Sequence, residues 1–157
     1  LGDVYKRQVP NMYRLADEGL PVILTISLHA PNDTLRKSIM PIANKYKISE
    51  IIAAAKNYFN KTGRRVVFEY ALTDGINNTP ECASELARLV KGFPTHINLI
   101  PLNEVSERDL RTVTHKQAEK FADLLKKYGV SVTIRRTMAD DIDGACGQLR
   151  NSIVEEK

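Results

Sequence analysis

Cys146 is set in the run Asp140-Asp141-Ile142-Asp143-Gly144-Ala145-Cys146-Gly147-Gln148-Leu149. Gly144, Ala145 and Gly147 leave the backbone free to turn and the sulfur uncrowded. Three aspartates precede the cysteine, so an acidic, exposed loop is expected. A thiol in such a loop is a candidate for chemistry, with an inert surface thiol as the competing reading. Cys82, the second of the chain's two cysteines, falls four and seven residues before Leu86 and Leu89 on an apolar helical stripe and reads as core.

Ser27 and His29 are two residues apart, a spacing that aims both side chains the same way on a strand. A hydroxyl and an imidazole there can bind a polar ligand, or the histidine can simply bond backbone in a turn. Asn103 at a strand end has the same two readings, ligand amide or turn residue. Glu69 lies mid-strand between Phe68 and Tyr70, where a buried acid needs a partner. Arg135 or Arg136 on the last strand is expected to supply one as an ion pair.

The elements that must position these groups alternate along the chain. Asn11–Glu18 reads as a helix end stopped by Gly19. Val22–His29 reads as a strand buried on both faces, and Pro31–Met40 as a polar loop or short helix. A helix capped by Ser49 runs to Asn60, with Ile51, Ile52, Ala55, Tyr58 and Phe59 as its apolar stripe. Strand Arg65–Thr73 follows, then a helix with Thr79 as cap and Pro80 in its first turn. Strand His96–Leu102 leads into a polar loop of about eleven residues, longer than most connections. Thr114 and Gln117 form a capping box for a helix ending at Tyr128, and Val130–Thr137 is the last strand. This order predicts right-handed βα units on a parallel sheet. Four such strands cannot close an eight-stranded barrel, so the sheet is either open or part of a larger, partly open barrel. In parallel α/β folds ligands sit at the carboxyl ends of the strands. Ser27-Leu28-His29, Thr73-Asp74, Asn103-Glu104 and the Cys146 loop should therefore share one edge.

Composition sets looser bounds. A hydrophobic fraction of 43% and a charged fraction of 27% are ordinary for a soluble globular chain. No apolar run reaches the roughly 18 to 20 residues of a membrane span. With no signal peptide pattern and only two cysteines, 64 positions apart, a cytoplasmic protein is expected, and a monomer. The net charge of +4 is compatible with nucleic acid without establishing it. The chain contains no CxxC, CxxxCxxC, HExxH, GxGxxG or P-loop motif. It opens on Leu1, and residues 1–8 do not extend the pattern that follows. They are set apart as foreign or truncated sequence, leaving 9–150 as the domain and 151–157 as a polar tail.

Five segments stand together in order: Ile26-Ser27-Leu28-His29-Ala30-Pro31-Asn32-Asp33, Met40-Pro41-Ile42, Thr62-Gly63-Arg64-Arg65-Val66-Val67-Phe68-Glu69-Tyr70, Asn98-Leu99-Ile100-Pro101-Leu102-Asn103, and the Asp140 to Leu149 run. From Val9 to Leu149 the chain resembles the C-terminal half of the radical S-adenosylmethionine (SAM) methyltransferases that modify carbon 2 of adenine in 23S rRNA and tRNA. The resemblance implies half of a partial (βα)6 barrel. It implies SAM contacts at Ser27, Leu28, His29 and Asn103, and a methyl-carrying role for Cys146. It also implies a 4Fe-4S cluster held by cysteines of the other half, reduced by an electron donor and cleaving a second SAM to a radical that takes hydrogen from the methyl group. A partner cysteine, the cluster motif and a glycine-rich SAM loop of that family have no counterpart here. The chain is therefore expected to be inactive alone.

Three other readings compete. One is the related carbon-8 adenine methyltransferase of the antibiotic-resistance type, which shares most of these motifs. Another is a non-catalytic RNA-binding remnant, which needs a basic stripe, whereas Lys and Arg here are scattered among acids. The third is a small thiol enzyme pairing Cys146 with His29.

Overall fold

The computed structural model describes residues 8–101 and 113–135. Within them, helix α1 (Gln8–Asp17) precedes strand β1 (Thr25–Ser27), helix α2 (Asp33–Ile39), helix α3 (Ile48–Thr62) and strand β2 (Val66–Leu72). Helix α4 (Pro80–Leu89), strand β3 (Thr95–Pro101), helix α5 (His115–Lys127) and strand β4 (Val132–Ile134) complete the alternation. The strands lie in the order β1-β2-β3-β4 and every pairing is parallel. Each successive strand adds to the same side of the last. Right-handed crossovers in one direction place all the connecting helices on one face.

Burial follows that geometry. Phe68, Tyr70, Leu72, Ile97 and Leu99 are fully buried on the helical face, packed with Ile51, Tyr58, Leu86, Phe121 and Leu125. Tyr70 and Phe121 stack with ring centroids 5.6 Å apart. The alternate residues Glu69, Ala71, Asn98 and Ile100 are only half-buried and belong to the other, concave face. Cys82 is in the core, as its position on the stripe predicts.

Local chemistry starts and stops the helices. Thr79 accepts from the Cys82 N–H ahead of Pro80, and Thr114 with Gln117 forms the expected capping box. Gly63 ends α3 in the left-handed region at φ 67°, where other residues are strained.

Three expectations need correction. The helix cap is Lys47, not Ser49: Glu50 reaches back to accept from the Lys47 N–H at 2.8 Å, and Asp33 accepts from the Ile48 N–H at 2.8 Å. The first strand is confined to Thr25–Ser27 and is not buried on both faces, because Val22 and Ile23 are 40% and 61% exposed. Instead, the Val22 carbonyl accepts from the Tyr58 hydroxyl at 2.7 Å, which ties this approach to α3 rather than to the sheet. The Glu69–Arg135 ion pair does not form. Glu69 meets the Ser27 hydroxyl, while the Arg135 N–H donates to the Leu99 carbonyl. Arg136 lies outside the described residues.

Candidate functional site at the carboxyl edge

The parallel register puts the carboxyl ends of β1, β2 and β3 at one edge of the sheet. Ser27 pairs with Glu69, and Glu69 pairs in turn with Asn98 and Asn98 with Thr133. One polar row therefore crosses the concave face. The Ser27 hydroxyl donates to Glu69 Oε2 at 3.3 Å, and the Thr133 hydroxyl donates to Asn98 Oδ1 at 2.9 Å.

Past Ser27 the chain leaves the strand. The N–H groups of Leu28 and His29 both converge on the Glu69 carbonyl, at 2.9 and 3.3 Å. His29 then adopts φ 60°. This left-handed conformation is uncommon for any residue with a side chain, and it survives only where surroundings enforce it. The alternation rule that aims Ser27 and His29 together does not hold across this turn.

Two buried polar side chains enforce the turn. Arg36, 1% exposed, donates from Nε to the Leu28 carbonyl at 3.2 Å and from Nη2 to the Ser27 carbonyl at 3.5 Å. Asn77, fully buried, donates from Nδ2 to the His29 carbonyl at 2.8 Å and to the Ala71 carbonyl at 2.7 Å. Asn77 Oδ1 accepts from the Thr73 N–H at 2.7 Å, and its own carbonyl accepts from the Tyr70 hydroxyl at 2.8 Å. The strand end of β1 is thus fastened to the turn after β2. Leu28, in the middle of the three held carbonyls of Ser27, Leu28 and His29, is fully buried.

The imidazole is equally fixed. The Ala71 N–H donates to His29 Nδ1 at 3.0 Å. Nδ1 is therefore the acceptor, and the neutral ring carries its proton on Nε2. Burial lowers the His29 pKa from its ordinary value; Glu69 opposes that shift and Arg36 adds to it. A neutral ring with a defined Nε2–H donor results. It does bond backbone, as the structural reading of His29 expects, yet it keeps a donor free among the described residues.

Sequence reasoning missed Arg36 and Asn77. Arg36 sits in the polar stretch after Asn32 and reads as solvated. Asn77 follows Asp74-Gly75 and reads as a turn residue. Asparagine's habit of bonding nearby backbone in turns is a signal for the second, but its complete burial has none. Asn103 and Cys146 lie outside the described residues. β3 ends at Pro101, two residues before Asn103 in sequence.

No family model matches the chain. A "Probable dual-specificity RNA methyltransferase RlmN" from Lachnospira eligens is 53% identical over 148 residues, which are 94% of this chain and 42% of that protein. A protein of the same name from Clostridium perfringens is 52% identical over 95% of this chain and 43% of its own length. The crystal structure of a radical SAM methyltransferase from Sphaerobacter thermophilus superposes with a TM-score of 0.84 at 45% identity, covering 89% of this chain and 41% of that one. The chain matches the C-terminal part of radical-SAM dual-specificity RNA methyltransferases. It spans less than half the length of these relatives.

A domain of pyruvate-formate lyase-activating enzyme from Bacteroides vulgatus shares the fold, with a TM-score of 0.55 at 21% identity. The parallel α/β arrangement expected from the strand order is the fold of this chain, and the half-barrel implied by the resemblance agrees with its radical SAM structural neighbours. Among the described residues no helix is long and apolar enough to cross a membrane. No group of three His, Cys, Asp or Glu side chains there is arranged to hold a metal ion.

Proposed function

We propose that this chain supplies the C-terminal half of the active site of an enzyme that methylates carbon 2 of adenine in 23S rRNA and tRNA, with SAM as methyl source and Cys146 as methyl carrier. The observation that carries the proposal is the fastened Ser27-Leu28-His29 turn at the carboxyl edge, in a chain that matches these methyltransferases. Ser27, Leu28 and His29 are assigned to SAM, together with Asn103 beyond the end of β3. The residues fit such a ligand: the His29 Nε2–H and the concave-face oxygens of Ser27 and Glu69 offer one donor and two acceptors to an adenosyl group.

The described residues do not fit an iron-sulfur cluster. The family's 4Fe-4S cluster is assigned to the part of the enzyme absent from this chain, together with its electron donor. This chain's own contribution is confined to holding SAM, presenting the carrier thiol and facing the RNA. An aryl carbon such as adenine carbon 2 is a poor nucleophile, so the methyl group cannot simply be passed to it from a sulfonium. The cluster, when bound, would supply radical chemistry that answers that difficulty; Cys146 would carry the methyl group on which it acts, and the small residues flanking it would let the sulfur reach two reactants in turn.

The test joins this chain to the preceding portion of the Lachnospira eligens relative, followed by anaerobic reconstitution. Mass spectrometry should find the Cys146 peptide heavier by one methylene unit, and treated RNA should contain 2-methyladenine. Methylated RNA formed while Cys146 stays unmodified, or after Cys146→Ala, would remove the carrier role. A product methylated at carbon 8 would replace the assigned reaction with that of the related resistance enzymes.

A further inference from the structure

Glu69 is unexplained by the fold. Its neighbours Phe68 and Tyr70 are fully buried against the helices, so its side chain belongs to the concave face. The expected ion pair with Arg135 is not made. Ser27 donates to Oε2, and Oε1 has no hydrogen-bond partner among the described residues. A half-buried carboxylate with an unused oxygen, bonded to the first residue of the SAM turn, is positioned for a ligand rather than for packing.

Resting on the SAM-site reading above, we infer that Glu69 binds the ribose of SAM, its carboxylate accepting hydrogen bonds from the cis-diol. The neighbouring group decides between the donors that SAM offers. Asn98 lies directly across from Glu69 in the register. Its Oδ1 accepts from the Thr133 hydroxyl, which leaves the Nδ2–H donors of this direct strand neighbour unbonded among the described residues. A donor next to an acceptor suits hydroxyl groups, which both give and take hydrogen bonds. It suits an ammonium poorly, because an ammonium only donates. Acidic side chains fill the same role toward ribose hydroxyls in dinucleotide-binding folds.

The test uses the joined enzyme and three probes: SAM, 5′-methylthioadenosine, which keeps the ribose and lacks the amino acid, and 2′-deoxy-5′-methylthioadenosine. Wild type should prefer the ribose over the deoxyribose compound by about tenfold, the loss of one hydrogen bond to a charged acceptor. Glu69→Gln should weaken 5′-methylthioadenosine by a similar factor and erase the preference, with unchanged thermal unfolding. Glu69→Asp should recover part of it. If Glu69→Gln weakens SAM but not 5′-methylthioadenosine, the carboxylate serves the ammonium and the inference is wrong. Unchanged binding of all three probes would also overturn it. A wild-type enzyme that binds none of them would instead sink the SAM-site reading itself.

Discussion

The two edges of the sheet are built differently. Among the described residues three polar or charged side chains are buried, Arg36, Thr73 and Asn77, and all gather at the carboxyl edge. Arg36 and Asn77 spend their hydrogen bonds on backbone carbonyls of Ser27, Leu28, His29 and Ala71. The amino edge holds a cavity of about 540 Å³ lined by Arg88, Lys91, Phe93, Pro94, Tyr128 and Val130. There Lys91 and Tyr128 are exposed, and His96 simply bridges the Ser131 and Thr133 hydroxyls on the surface. This hollow is thus less constructed than the carboxyl edge. The bonded, desolvated Arg36 and Asn77 mark the edge where the backbone is held in place, and the Thr73 hydroxyl beside them is buried without a partner among the described residues.

The contrast can be broken by removing the fasteners. Asn77→Ala leaves the Thr73 N–H and the His29 and Ala71 carbonyls short of a partner in a dry site, and should cost about 3 kcal/mol in urea unfolding. Arg36→Met keeps most of the stem but frees the Ser27 and Leu28 carbonyls. About 2 kcal/mol is expected by the same measurement. A loss below about 0.5 kcal/mol for both would mean that the edge is not specially built.

A smaller effect sharpens the comparison. His29 is held neutral in the fold, its pKa lowered from 6.5. As pH falls through 6.5 the unfolded chain takes up a proton that the folded chain refuses. Stability conferred by the neutral ring is therefore present above 6.5 and is lost as pH drops toward the folded value. Urea midpoints measured on either side of that pH should show the decline, and His29→Gln should flatten it. An unchanged slope in the variant would assign the decline to other groups. The smallest effect belongs to the amino edge, where Tyr128→Ser should alter stability by no more than about 0.5 kcal/mol.

Much of the fold was legible because its punctuation is local. Thr79-Pro80, Thr114 with Gln117, and Gly63 act within one turn of their own position, so sequence alone places α4, α5 and the end of α3. Lys47 was not legible as a cap because the bonding group is Glu50, which works from inside the helix. The shortened β1 was hidden for a different reason. Val22 and Ile23 are apolar and β-branched, yet their approach is tied through the Val22 carbonyl to Tyr58, 36 residues away. The site was half legible. Ser27 and His29 stand at the edge that the strand order predicts, but the positive φ of His29 and the burial of Arg36 and Asn77 depend on contacts between segments distant in sequence. Glu69 was marked as an acid in need of a partner; among the described residues that partner is Ser27 and not Arg135, while Arg136 lies outside them.

The carboxyl edge, and not the hollow at the amino edge, is the proposed SAM site. Equilibrium binding of SAM to the joined enzyme tests this directly, comparing the double variant Ser27→Ala with His29→Ala against the double variant Lys91→Ala with Tyr128→Ala. The first pair should weaken SAM by more than tenfold, about 1.4 kcal/mol or more, while the second leaves it unchanged. Equal affinities in the two, or a loss confined to the amino-edge pair, would contradict the account.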